Sequence, residues 1–194
     1  MAAVTNWNPA EFHYWYTRMP LDERKRRAWE TLRPDQKKLY TEWWTFGKFS
    51  RAATLDIDPR TIENREPPEP DIRCTVSLTA SYFELGEITD QRLAQSAGIA
   101  AKRGDETHAG PFSQMVPLFR IFDQKCSKHY DTKGQPLHLL LHYSVGDQVP
   151  HSSLLRSEIS EHRQETAAKL RNSPFSSLWI YDGWEEAVIG HVET

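Results

Sequence analysis

The hydrophobic positions change period along the chain, and each change predicts an element. From Ile72 to Val76 apolar residues alternate with polar ones (Ile72, Cys74, Val76), and after a short polar stretch Phe83 and Leu85 repeat the alternation. Period two places successive side chains on opposite faces of a strand, so both segments read as strands joined by a turn around Ser77 to Ser81. Leu137 to Tyr143 is nearly continuous in apolar residues, as expected for a central strand covered on both faces. Leu178 to Tyr181 is a late strand, and Asp182-Gly183 before Glu185 to Val192 reads as the turn of a closing hairpin.

Helical spacing fills the intervals. Asn8-Pro9 starts a helix that ends at Pro20, a second runs from Leu21 to about Arg33, and Pro34 opens a third to about Leu55, placing Leu39, Trp43, Phe46 and Ser50 on one side. Thr89 to Lys102 reads as an alanine-rich helix, followed by a polar loop from Arg103 to Gly110 that carries His108. In the segment Pro117 to Lys133, a buried stripe forms around Phe122 from Leu118, Phe119, Cys126 and His129, with Lys125 at its border and Lys128 further out. Ser153 to Leu170 is a further helix, on which Glu161, His162 and Glu165 read as a solvated, internally paired face. Glu63 to Pro70, with three prolines and three glutamates, reads as an extended linker into the first strand.

The strand pattern also places the chemistry. Asp71 lies opposite the Ile72, Cys74 and Val76 row, and Glu84 lies opposite Phe83 and Leu85, so both carboxylates avoid the apolar side. Pairing of the two strands brings them close enough to share a divalent cation such as magnesium, which takes carboxylate oxygens and water. Glu87 falls, by strict alternation, with Phe83 and Leu85, where an unpaired charge is costly. Two readings stand open: a bulge at Gly86 rotates Glu87 back toward Asp71 as a third oxygen ligand, or the strand ends at Gly86 and leaves Glu87 solvated.

Pro70-Asp71 followed by Glu84-Leu85 resembles the core motif of the PD-(D/E)XK nuclease-like superfamily, in which a lysine follows the second acid after one intervening residue. The resemblance covers residues 67 to 182. It implies an α/β (α+β) fold with a restriction-endonuclease-like mixed central sheet flanked by helices. That core occupies 67–194, behind an aromatic-rich N-terminal helical extension over 1–66. It implies a metal-dependent nuclease that hydrolyses phosphodiester bonds in DNA or RNA with Mg2+ or Mn2+, Asp71 and Glu84 being its ligands and Glu87 an additional one. The lysine position is Gly86, which has no side chain to orient water. Some members of such families recover that function from the following helix, and Lys125, ahead of Lys128, is the candidate.

Charge sharpens the picture. The net charge of -3 disfavours nonspecific coating of nucleic acid. Residues 18 to 51 nevertheless hold ten Lys or Arg against five Asp or Glu, whereas residues 55 to 90 hold three against nine. A basic helical region beside an acidic pocket is what a metal-dependent nuclease requires, and Arg24, Lys25, Arg26 and Arg27 form the expected phosphate-facing edge. Five of the seven tryptophans lie in the first quarter of the chain, which favours a helical cap and also supports an alternative: a catalytically inactive nuclease-like module gripping a protein or nucleic-acid partner through its N-terminal helices. A third reading gives Asp71 and Glu84 a purely structural role, capping strand ends.

Other chemistries find no foothold. His138 and His142 are four residues apart on a strand, about 13 Å at roughly 3.3 Å per residue, too far to share one ion. There is no Gly-rich phosphate loop, no nucleophile elbow and no Cys-Xaa-Xaa-Cys pair. Cys74 and Cys126 read as reduced core thiols, and no secretory signal or membrane-length apolar run is seen, so a cytoplasmic location is expected. DNA versus RNA and oligomeric state stay open.

Overall fold

The computed structural model describes residues 32–88, 118–143, 152–183 and 185–194. Helix α1 spans Pro34–Ala52. Proline in its first turn costs no hydrogen bond, and Gln36 reaches back to accept the Arg33 N–H at 3.0 Å, closing the helix start. Strand β1 (Glu63–Asn64) follows, then β2 (Ile72–Val76) and β3 (Thr79–Glu87), which pair antiparallel. The β2-β3 turn is tighter than expected: Val76 pairs with Thr79, and only Ser77 and Leu78 lie between, both at positive φ. Two successive left-handed residues match the twist of the flanking strands.

Helix α2 (Leu118–Cys126) leads to β4 (Leu137–Tyr143), parallel to β3. Helices α3 (Ser152–Glu161) and α4 (Arg163–Arg171) lead to β5 (Ser177–Asp182), parallel to β4, and β6 (Ala187–Glu193) closes antiparallel on β5. The result is a mixed six-stranded sheet in the order β1-β2-β3-β4-β5-β6. Apolar side chains on both faces of β4 are the reason it can sit at the centre. On one face Leu140 joins Phe83, Leu85 and Tyr181 beneath Phe46 and Phe49 of α1. On the other, Leu139 and Leu141 join Ile180 beneath Ile121 and Phe122 of α2 and Leu170 of α4. Each fully buried side chain of this size contributes about 1.5–3 kcal/mol relative to exposure, so the two layers dominate the stability.

Several expectations change. The buried side of α1 is formed by Tyr40, Thr45, Phe46 and Phe49 rather than by Leu39, Trp43 and Ser50, which are half-buried. The α2 helix ends at Cys126, so His129 lies beyond it and is exposed, and Ile121 takes the buried place instead. The single helix expected over Ser153 to Leu170 breaks at His162. The segment Glu63 to Pro70 begins with a strand that pairs with β2 before it becomes linker. The two helices expected before Arg33, with Arg24, Lys25, Arg26 and Arg27, lie outside the described residues, as do Thr89 to Lys102 and the loop carrying His108. No helix among the described residues is long and apolar enough to cross a membrane.

Candidate functional site

The open end of the β2-β3 hairpin is the starting point. Ile72 pairs with Phe83, and one further step in the same register sets Asp71 across from Glu84, where side chains of an antiparallel pair are near neighbours. Asp71 is fixed there because its Oδ2 accepts the Leu85 N–H at 2.9 Å. Glu84 is 5 % exposed. Burial, and then the charge of Asp71, hold its carboxyl above the usual range against the opposing pull of Lys125.

Gly86 explains how Lys125 arrives. A Cβ built on Gly86 would stand 2.7 Å from Leu141 Cδ2, 3.2 Å from Ile121 Cγ2 and 3.4 Å from Lys125 Cε. The space over the strand is therefore filled from α2, and the Lys125 stem crosses it. Its ammonium donates to Glu84 Oε1 at 2.6 Å and to the Leu85 carbonyl. Lys128 stands further off, 3.8 Å from the same carboxylate oxygen, with its side chain 55 % exposed. The order expected of the two lysines matches their distances.

Of the two readings at Gly86 the bulge is absent, and the strand runs one residue beyond the glycine to end at an exposed Glu87. Gly86 pairs with Leu141 and Glu87 with His142 in unbroken parallel register, because the glycine is required by crowding from Leu141 of β4 and from α2 rather than by a kink. Glu87 thus keeps its alternation and lies at the strand end beside His142, lining the same cavity as Asp71 and Glu84. His142 is pushed down to about 4 by burial, with Glu87 pulling the other way; it is neutral at pH 7. His138 is likewise lowered by burial to about 4, and its Nδ1 lies 2.8 Å from Ser177 Oγ.

Sequence reading missed Glu42. It precedes Phe46 by one turn on the buried side of α1, and its carboxyl is raised to about 7, by burial first and by the charge of Asp71 second. One oxygen, Oε2, is buried with no hydrogen-bond partner among the described residues. Lys38 bridges this group to the hairpin, 3.1 Å from Glu42 Oε1 and 3.7 Å from Asp71 Oδ1. The signal was present in the sequence: extending the Phe46 and Phe49 stripe back by one turn lands on a glutamate, and a carboxylate on an apolar stripe marks a functional or paired position.

These groups line one cavity of about 970 Å3 between α1 and α2. Its wall is stiffened by Arg65, whose guanidinium holds Glu69 in two hydrogen bonds of 2.7 and 3.0 Å, and by Lys133 on the same carboxylate at 3.0 Å. That pairing pulls Glu69 down to about 2. Tyr130 donates to the Lys125 carbonyl at 3.1 Å, tying down the end of α2, and burial raises its phenol.

The donor set suits a cation that takes few protein ligands. Among the described residues no group of three or more His, Cys, Asp or Glu side chains is close-set enough to hold a metal ion. Magnesium, however, keeps most of its water and is commonly held by one or two carboxylates, a number that Asp71 and Glu84 could offer. The described cysteines serve no such purpose: Cys74 is a buried free thiol pushed up to about 12 by burial, and Cys126 is a half-buried free thiol. His162 and Glu165 pair on the surface of α4 at 3.4 Å, as expected for a solvated face. The chain matches no family model, and neither the curated proteins nor the solved structures contain a match to it.

Proposed function

We propose that the chain is a divalent-cation-dependent nuclease of the restriction-endonuclease-like type, cleaving phosphodiester bonds in DNA or RNA. The observation that supports this reading is the course of Lys125, whose stem lies over Gly86 and whose ammonium reaches Glu84 and the Leu85 carbonyl, so that it would stand in for the lysine absent from β3. Asp71 and Glu84 would hold Mg2+ or Mn2+, with Glu87 and Glu42 flanking them. A bound ion would neutralise charge on the phosphate and acidify the attacking water. The chain's own part is positional. The Leu85 N–H orients Asp71, burial and the Asp71 charge hold the Glu84 carboxyl above its usual range, and Lys125, freed from part of its pairing, would orient water and stabilise the developing charge on the phosphate.

A second reading has its own observation. The Lys125 ammonium already neutralises Glu84, and Lys38 lies between Glu42 and Asp71, so the carboxylates are compensated with no ion. A nuclease-like module that binds a protein or nucleic-acid partner without turnover needs nothing more.

One series separates them. Thermal unfolding is followed with and without millimolar Mg2+ or Mn2+, in the parent and in Asp71→Ala and Glu84→Ala; an ion site raises the parent's midpoint by mass action and leaves both variants unmoved. Incubation with single-stranded and duplex DNA and RNA then reads turnover, which Lys125→Ala abolishes and Lys169→Ala, whose ammonium pairs with Asp123, does not. An unmoved parent midpoint and intact substrates leave the binding module.

A further inference from the structure

The cavity carries its charges in two tiers. Carboxylates occupy its depth, where the Glu84 side chain is 7 % exposed. At the α2 lip the charges are reversed. Arg120 is exposed, donates to Gln124 Oε1 at 3.3 Å, and has no carboxylate partner among the described residues. Lys128 is exposed and reaches Glu84 only at 3.8 Å, and His129 beside it is exposed and lines the cavity. The other cations at the cavity are committed: Lys38 pairs with Glu42, Lys125 with Glu84, and Arg65 and Lys133 with the Glu69 of its wall.

Arg120, Gln124 and Lys128 recur every four residues. The Lys128 N–H donates to the Lys125 carbonyl, continuing the turn past the end of α2. Four residues advance about 6 Å along a helix, so the row is about 12 Å long. It carries donors and positive charge at both ends. A single strand rises about 3.4 Å per nucleotide when stacked, so the row matches roughly three successive nucleotides. A compact anion has no use for a row of this length, and a small acid entering the depth would meet the carboxylates there. A chain whose anions repeat along its length can bridge the lip with its phosphates on the cations there, above the carboxylates. Glu84 is recessed, its side chain 7 % exposed, and the exposed His129 ring at the mouth offers a surface on which an unpaired base can stack.

We propose that the Arg120, Gln124 and Lys128 edge of α2 is a phosphate track that seats single-stranded nucleic acid across the cavity mouth, which names the substrate class of the nuclease reading and rests on it for what happens to the strand afterwards.

Binding is measured on the full chain in EDTA, by anisotropy of a labelled ten-nucleotide oligothymidine and of a ten-base-pair duplex, across a salt titration. The single strand should bind at least about tenfold tighter than the duplex. The double variant Arg120→Ala, Lys128→Ala should bind about tenfold more weakly, with its salt slope reduced by about 1.4, since each phosphate contact on a single strand contributes about 0.7. Arg120→Lys with Lys128→Arg should restore the slope, and Lys169→Ala should leave it unchanged. Both track residues are exposed, and thermal midpoints within about 2 °C of the parent identify folded variants. No binding by the parent, an unchanged slope in the double variant, or a duplex bound as tightly as the single strand would each overturn the proposal. EDTA removes cleavage from the readout: the expected slopes with no cleavage in Mn2+ defeat hydrolysis alone, and cleavage with an unchanged slope defeats the track alone.

Discussion

Glu42→Gln should make the protein more stable at pH 8 and leave it unchanged at pH 4. In the folded chain the Glu42 carboxyl keeps its proton up to about pH 7, and the ordinary value is 4.5. Between those values the folded state binds more protons than the unfolded one, so raising the pH removes stability. The contribution is fully present below about 4.5 and lost as the pH rises through about 7. At about 1.4 kcal/mol per pH unit the gap sets a ceiling of about 3 kcal/mol. Glutamine also loses the Lys38 pairing, whose lysine is 65 % exposed, and an exposed ion pair of this kind contributes about 0–1 kcal/mol. The net gain for the variant at pH 8 is therefore up to about 2–3 kcal/mol, or roughly 4–12 °C in midpoint for a chain of this size. Urea unfolding of parent and variant at half-unit steps from pH 4 to pH 8.5 reads the difference directly. The two curves should coincide at the acid end, diverge between about 4.5 and 7, and run parallel above. Curves that stay parallel throughout would refute the placement of Glu42 against Asp71 and Glu84.

Three further substitutions probe the same architecture. Gly86→Ala should cost about 1–3 kcal/mol in urea unfolding, because its methyl would stand 2.7 Å from Leu141 Cδ2; a loss under about 0.5 kcal/mol would mean that Leu141 does not crowd the strand there. Lys125→Met should cost about 3 kcal/mol by leaving Glu84 buried without its partner, and Glu84→Gln in the same chain should return at least about 1 kcal/mol; strictly additive losses would deny the coupling. Tyr143→Phe should cost about 1–3 kcal/mol, since the buried Asp182 Oδ2 loses a donor at 2.6 Å, and chemical denaturation that leaves the midpoint unmoved would count against that bond.

What the sequence made legible follows from how local each constraint is. The bounds of β4 could be read because seven adjacent residues carry one message, and the facing of Asp71 and Glu84 because a short hairpin fixes its own register. Lys125 could be placed because it borders an apolar stripe. Glu42 was hidden by the phase of its helix. Leu39 and Trp43 pull an apolar count toward one side of α1, whereas contact with Phe83 turns Phe46 and Phe49, and Glu42 with them, toward the sheet. Gly86 misled for the opposite reason. A glycine in a strand suggests a bulge when only its neighbours are considered, and here the pressure comes first from Leu141 of β4 and then from Ile121 and Lys125 of α2, all over thirty residues away in sequence. No period of two or of 3.6 carries that information.

The charge division along the chain folds into the cavity in a way that composition only half anticipates. Of the carboxylates that line it, Glu69, Asp71, Glu84 and Glu87 come from the acidic stretch between residues 55 and 90, and Glu42 alone from elsewhere. The cations do not come chiefly from the basic stretch over residues 18 to 51. Among the described residues that stretch contributes Lys38, and α2 contributes Arg120, Lys125 and Lys128. Five carboxylates against four cations leave the lining one negative charge in excess when all are ionised, and that excess is set against a Glu42 that titrates near 7. The sequence counts pointed to an acidic site with a basic neighbour; the fold instead interleaves the two signs within one cavity, with helices supplying the positive charges and the hairpin with its leading segment supplying most of the negative ones.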